Sequence, residues 1–480
     1  MQKKRPLVEK LMAHKAKEPV SFHVPGHKGI PDLMDDGTNI FNTIFGYDIT
    51  ELPGMDNLHS AEGVIKEAQH LTAQAYGVRH TFFLVNGSTA GILASLLAVT
   101  RPGDTVIVDR QCHSSVINAL MLGRLKPVFV VRPVDRHTGI PMSVDIKRIK
   151  DAFKENKGVK AVVITSPSYY GICSDIKAIA DTAEQSGAFV VVDEAHGAHL
   201  KFWEGLPVSA VDCGADLVIQ SAHNTLPALT QGAWLHVTGK RIDKERLYRM
   251  LGIIQTTSPS YPIMASLDAA RHIMSSSGAV SLSKICEQTS ETRRRINDLD
   301  SGLFCPDREY FKKAGCHDYD ETKLIINCLG AGIDGHMLDR QLGRANVYGE
   351  LYDMANWLGV VTAASKQEHL DRLVRGCRGL KTRRVPERRI LPGFDIPDIC
   401  CGMQPWEVLD KEWVRVELDR AEGRISAGGI VPYPPGVPLI CPGERFSAAV
   451  IDKINKYKAL NINIKGLYSG QVEAVVDTNV

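Results

Sequence analysis

Residues 187–226 constrain this chain more than any other stretch. GAFVVVDEAHGAHL (187–200) carries an apolar, β-branched run that ends in Asp193, and DLVIQSAHNTL (216–226) carries a second run that ends in Ser221-Ala222-His223-Asn224-Thr225. Continuous apolar runs of this length read as strands buried on both faces of a parallel sheet. Groups at the carboxyl ends of such strands point into the crevice where open α/β sheets bind ligands. A carboxylate at one strand end, with Ser, His and Thr at the next, suits a ligand that has a cationic ring nitrogen and a phosphate.

The rest of the first half repeats the pattern. Apolar runs at 81–85, 105–109, 127–131, 161–165, 188–193, 216–220 and 232–237 read as strands, and helix-length segments such as 89–99, 144–153 and 176–185 separate several of them. That alternation is βαβ patterning, which requires a mostly parallel sheet covered on both faces. Only the 220–232 connection is too short for a helical crossover, so the last strand is expected to run antiparallel. Ser60 is expected to cap a helix carrying Val64, Ile65, Ala68, Leu71 and Ala75 on one face and ending at Gly77. Beyond Met264 helices are expected at 265–275, 282–299 and 336–346, then a strand at 413–418, then the turn-rich GGIVPYPPGVPLICPGE (428–444). The expected division is an N-terminal arm (1–40), a large ligand-binding domain (41–290) and a smaller α+β domain (291–480).

Bulk properties exclude several classes of function. At 480 residues with 44% hydrophobic and 23% charged residues the chain is an ordinary globular one, and a formal net charge of +2 gives no basis for a nucleic-acid or membrane-surface partner. Lys381-Thr-Arg-Arg384 and Arg388-Arg389 read as a solvated face. The eleven cysteines show no C-x-x-C spacing, and an odd count without an apolar leader points to reduced thiols in a cytoplasm. No run reaches the length of a membrane span. The basic start has Leu7, Val8, Leu11 and Met12 at helical spacing, as in an amphipathic arm.

Several smaller features carry chemistry. Asn86-Gly87-Ser88-Thr89 joins a strand to a helix; its glycine, hydroxyls and helix N-terminal N–H groups suit a phosphate, although Ser or Thr there also serves as a plain N-cap. No G-x-G-x-x-G or Walker A loop is present, which argues against a dinucleotide or ATP. His113 follows the 105–109 strand; a lone histidine there is commonly structural. Asp48, Glu51 and Asp56 in YDITELPGMDNLHSAEG (47–63) read as loop carboxylates, and His23, His27 and Lys28 in SFHVPGHKGI (21–30) as a loop. A zinc site built from Asp193, His196 and His199 lacks a further ligand set, so no metal is expected.

VVDEAHGAHL, SAHNTLPALTQGAWLH and YPPGVPLICPGE together closely resemble the orn/lys/arg decarboxylases, fold-type-I enzymes that use pyridoxal phosphate to remove CO2 from basic amino acids. The resemblance covers most of the chain. It implies a seven-stranded sheet with one reversed strand and a smaller C-terminal domain. It implies that Asp193 meets the cofactor's ring nitrogen, that His113 lies flat on the ring, and that His196 sits near the phenolic oxygen and the substrate carboxylate. Gly87, Ser88, Thr89, Ser221 and His223 would hold the phosphate, with Thr257 and Ser258 reaching it from a neighbouring subunit of a homodimer. The H-x-P-G-H-K stretch resembles an entrance or dimer segment. Glu444, Asp48 and Glu51 are candidates for the acidic end that meets a basic substrate. The length resembles the shorter biosynthetic type, for which arginine, giving agmatine for polyamine synthesis, is the leading substrate; lysine and ornithine remain open.

One position departs from the family pattern. Where the family reads S-x-H-K-T-L, with a Schiff-base lysine, this chain has Asn224, and an amide cannot form an imine. The surrounding motifs are intact, which favours a recent or deliberate substitution in an active decarboxylase over long drift; a naturally silent relative and a sequence error are the alternatives. The expected consequence is a catalytically impaired chain that still binds cofactor.

Overall fold

The computed structural model describes residues 2–30, 41–380, 400–433 and 436–476. The basic clusters at 381–384 and 388–389 lie outside the described residues. Seven strands form the main sheet: β1 (His80–Leu84), β2 (Thr105–Asp109), β3 (Lys126–Val130), β4 (Val159–Thr165), β5 (Phe189–Asp193), β6 (Leu217–Gln220) and β7 (Ala233–Val237). Their order is β1-β7-β6-β5-β4-β2-β3. β2 pairs in parallel with β3 and β4, and β5 with β6, whereas β7 is antiparallel to both β1 and β6. The reversed strand is the one whose connection was too short for a helix.

Contacts divide the chain into two units, Met1–Val99 with Val191–Leu282, and Thr100–Val190 with Ser283–Val480, a different cut from the chain-order division expected from the sequence. In the first unit the N-terminal helix α1 (Pro6–Lys15) buries Leu7 and Leu11, and the Leu7 N–H donates to Asp268 at 3.1 Å. The second unit holds a three-stranded antiparallel sheet in the order Lys323–Asn327, Asn356–Val360, Leu351–Tyr352, and an antiparallel pair of Trp413–Glu417 with Gln471–Val475.

Two local expectations fail for physical reasons. Helix α2 (Val64–Tyr76) ends at Gly77 with φ +69°, as the sequence suggested, but Ser60 does not cap it. Asp56 does: its Oδ2 accepts from the N–H groups of Gly63 (2.8 Å), Ile65 (2.9 Å) and Lys66 (3.2 Å), while Oδ1 takes those of Asn57 and Glu62. A charged oxygen at a helix N-terminus satisfies orphan donors and is attracted by the positive end of the helix dipole. The expected break near 275–281 is also absent, because a single helix runs through Tyr261–Asn297. The Ser276 and Ser277 hydroxyls bond back to the carbonyls of His272 (2.7 Å) and Ile273 (3.1 Å) and so do not compete with the helix. Gly278 is there for closeness, since a Cβ would lie 3.2 Å from Phe202 Cβ.

A buried polar chain crosses four neighbouring strands of the first unit. Thr81 Oγ1 on β1 meets His236 Nδ1 on β7 (2.8 Å), His236 Nε2 meets Gln220 Oε1 on β6 (3.0 Å), and Gln220 Nε2 donates to Glu194, just after β5 (2.6 Å). Glu194 also accepts from Ser209 Oγ (2.7 Å) and the Ala210 N–H (2.8 Å). Burial holds the His236 imidazole down to about 3, hence neutral, and lifts the Glu194 carboxyl from its ordinary 4.5 to about 7.

Two outcomes follow from these arrangements. Asp56→Ala should lower the free energy of unfolding by ~2 kcal/mol, against less than ~0.5 kcal/mol for Ser60→Ala, in urea titrations of both variants. A carboxyl whose pKa is higher folded than unfolded binds more protons in the native state between the two values. Stability contributed by Glu194 therefore falls as pH rises from 4.5 to about 7 and is flat above that. Glu194→Gln should remove ~2–3 kcal/mol of that decline, read from denaturation midpoints collected from roughly pH 5 to 7.

Candidate active site

In the first unit the carboxyl ends of β1, β5 and β6 share one edge of the sheet. After β1, Gly87 opens helix α3 (Gly87–Val99) at φ +72°, and its N–H donates to Gln231 O (2.9 Å). A Cβ on Gly87 would meet nothing within 4 Å, whereas one on Gly91 would lie 2.7 Å from Leu84 Cδ1 and 2.9 Å from Ile219 Cγ2. The second glycine lets α3 lie tightly on β1 and β6, which brings its amino end, with Ser88 and Thr89, to the strand ends. The first-turn N–H groups of such a helix have no intrahelical acceptor and suit a phosphate. The 256–258 segment is fastened to this turn: Thr256 N–H donates to Asn86 Oδ1 (3.1 Å), His59 Nε2 donates to Thr256 O (2.8 Å), and Thr257 and Ser258 are exposed.

Asp193 closes β5 opposite Ile219 of β6 and is only 3% exposed; its Oδ1 accepts the Ala195 N–H at 3.1 Å. His196 follows in the next turn, also buried. Beyond β6, Ser221 precedes the single helical turn Ala222–Thr225 and is buried without a side-chain capping bond. His223 donates from Nδ1 to Gly232 O (2.9 Å), which leaves Nε2 as the second polar atom of the ring. Asn224 Nδ2 donates to Ala195 O at 3.0 Å, tying the amide to the loop that carries His196. Beside it the Thr225 hydroxyl is buried with no hydrogen-bond partner.

These features fit pyridoxal phosphate. A buried carboxylate at a strand end matches a pyridinium nitrogen. An open glycine turn at a helix N-terminus, with Ser and Thr hydroxyls at both strand ends and one orphan hydroxyl, matches a phosphate and its neighbours. Among the described residues no group of three or more His, Cys, Asp or Glu is arranged to hold a metal ion.

The second unit holds His113, the N-cap of helix Ser114–Gly123; its Nδ1 accepts the Ser115 N–H at 3.2 Å, and burial, followed by Lys465, lowers its pKa. Glu444 does not present the free acidic end expected for a basic substrate. Its carboxylate receives Arg110 Nη2 (2.9 Å), Arg110 Nε (3.2 Å) and the Cys441 N–H (2.7 Å), all in buried surroundings. In the first unit Asp48 is paired with His27 Nε2 at 3.2 Å, and His27 stacks on Phe45. Glu51 differs from both: Oε2 takes the Thr50 hydroxyl (2.7 Å), while Oε1 is buried with no hydrogen-bond partner.

Sequence reasoning passed over Glu194, Gln220, His236 and Arg110. For His236 the signal was present, because a histidine inside the apolar strand AWLHV must find buried partners.

Comparison with known proteins agrees with this chemistry. The family description "Orn/Lys/Arg decarboxylase, major domain" matches residues 5–317, and the corresponding C-terminal domain matches residues 405–469. The chain is 32% identical to an arginine decarboxylase of Bacillus subtilis over 97% of this chain and 96% of that protein. It is 38% identical to an uncharacterized Bacillus subtilis protein over 96% of each. In fold it is similar to the lysine decarboxylase of Francisella novicida, with a TM-score of 0.83 at 19% identity, covering 98% of this chain and 81% of that one. The chain belongs to the Orn/Lys/Arg decarboxylase family of pyridoxal-phosphate-dependent enzymes.

Proposed function

We propose that this chain is an arginine decarboxylase of the biosynthetic type, forming agmatine and CO2 for polyamine synthesis, in which catalysis is arrested at Asn224. The observation that carries the reading is the contrast at one position. The carboxylate, hydroxyl and helix-terminus groups that suit the cofactor are in place, while the residue between His223 and Thr225 is an amide bonded to Ala195 O. The identity with an arginine decarboxylase along nearly the whole chain supports arginine over lysine or ornithine.

When bound, pyridoxal phosphate supplies an electron sink for the charge left on the α-carbon as CO2 departs. Asp193 holds a proton at the ring nitrogen. Gly87 and the α3 terminus, with Ser88, Thr89, Ser221 and His223, bind the phosphate, and Thr257 and Ser258 reach the cofactor phosphate of a neighbouring subunit in a homodimer. His113 orients the ring from one face, and His196 sits by the substrate carboxylate. Glu51 takes the cationic end of the substrate, a role supported by its unpartnered, buried Oε1. A lysine at 224 would hold the cofactor and return a proton to the α-carbon; the Asn224 amide is neither a nucleophile nor an acid near neutrality. The working compartment is the cytoplasm; among the described residues no helix is long and apolar enough to cross a membrane.

Asn224→Lys, supplied with pyridoxal phosphate, should release CO2 and agmatine from arginine at least ~10³-fold faster than the unaltered chain, with lysine and ornithine poorer. Cofactor binding without turnover of any of the three by either protein would instead identify a noncatalytic binding partner. In the Asn224→Lys protein, Glu51→Gln should raise KM for arginine ~10–100-fold with little change in kcat, as loss of a charge-assisted contact to the substrate's distal group requires.

A further inference from the structure

The turn that carries His113 is gripped by two adjacent buried ion pairs. Asp109, the last residue of β2, is bound by Arg132 through Nε at 3.0 Å and through Nη2. The next residue, Arg110, is fully buried and faces a different part of the second unit. Beside its two bonds to Glu444 it donates from Nη1 to Pro438 O (2.8 Å) and from Nη2 to Leu439 O (3.3 Å). Glu444 in turn receives the Cys441 N–H, so one guanidinium and one carboxylate fix the path of residues 438–444.

What that path delivers is Gly436. It has φ +81°, its carbonyl accepts the Ser114 N–H at 3.3 Å, and a Cβ on it would lie 3.1 Å from His113 Cδ2 and 3.3 Å from Nε2. Backbone without a side chain is therefore packed against one edge of the imidazole. On the other edge Nδ1 accepts the Ser115 N–H and lies 2.8 Å from Ser115 Oγ. A neutral ring accepting at Nδ1 carries its proton on Nε2. The imidazole is held at both edges, and one of the two holds depends on the Arg110–Glu444 pair.

We propose that Arg110 and Glu444 are positioning residues for the reaction: through Gly436 they fix the plane of His113, making the 436–444 segment part of the machinery that faces the cofactor. The last clause rests on the reading of His113 as the residue stacked on the cofactor ring. Buried ion pairs contribute little net stability compared with apolar packing of the same shape, so geometric definition of His113 is the function the pair is suited to.

The test separates the two layers of the argument. Cofactor-free protein labelled with ¹⁵N-histidine is compared with Glu444→Gln, with Gly436→Ala and with the double change Arg110→Met, Glu444→Met. The double change removes the pair without leaving a lone buried charge and serves where the single one fails to fold. The unaltered protein should show a single Nε2–H tautomer at His113, titrating below the ordinary 6.5 because of burial and Lys465. Every variant should show altered His113 nitrogen shifts and a midpoint raised toward that ordinary value. In the Asn224→Lys background the same changes should lower kcat ~10–100-fold with KM altered less than ~3-fold, and weaken the visible circular dichroism of bound cofactor. Folded Glu444→Gln and double-variant proteins with His113 shifts and midpoint unchanged would overturn the positioning role. Altered His113 shifts with unchanged cofactor dichroism and kcat would uphold the positioning of His113 and overturn its placement on the cofactor.

Discussion

The polar chain Thr81–His236–Gln220–Glu194 is the constraint on which the cofactor end of the sheet depends. It links β1, β7, β6 and the residue after β5 in their order across the sheet, at a depth where each unmade hydrogen bond costs about 1–3 kcal/mol. A one-residue slip of any of these strands would turn its side chains to the opposite face and break the chain. Register is thereby fixed for β1, which leads to Asn86-Gly87, for β5, which ends in Asp193, and for β6, which leads to Ser221. Glu194 is next to Asp193, so the group that anchors the network also fixes the turn in which Asp193 and Asn224 meet the Ala195 backbone.

Much of this was legible because the information is local. The runs ending at Asp109 and Gln220 and the helix Ile176–Gln185 carry their own periodicity, and the shortness of 220–232 was enough to reverse β7. Asp193 and the 221–225 turn were readable for the same reason, since a strand end declares its last residue. What the sequence misplaced depends on partners distant along the chain. Asp56 takes the cap of α2 from Ser60 because its own loop folds back on the helix, and Ser276 and Ser277 stay helical because their hydroxyls bond back to His272 O and Ile273 O. Glu444 was readable as an acid in a proline-rich turn, but not as the partner of Arg110, which is 334 residues away.

Fates of the acidic residues show how the fold sorts equivalent side chains. Asp56 is consumed by backbone donors, Asp48 by His27, Asp109 by Arg132 and Glu444 by Arg110. Each is matched within the chain, and a matched carboxylate offers little to a ligand. Glu51 retains an unbonded, buried oxygen, and a buried acceptor without a partner is unfavourable unless something fills it when the protein works. Nothing in its immediate sequence distinguishes Glu51 from Asp48.

Asn224 is the converse case, a polar group whose donor is matched by backbone. Its amide is nearly neutral in the network: one donor satisfied by Ala195 O, no charge, no titration near neutrality. A lysine there would place an ammonium near the turn that carries Asp193, and burial and that carboxylate would act on its pKa. The structure has the fold of the Orn/Lys/Arg decarboxylases, with an amide at position 224 bonded to Ala195 O.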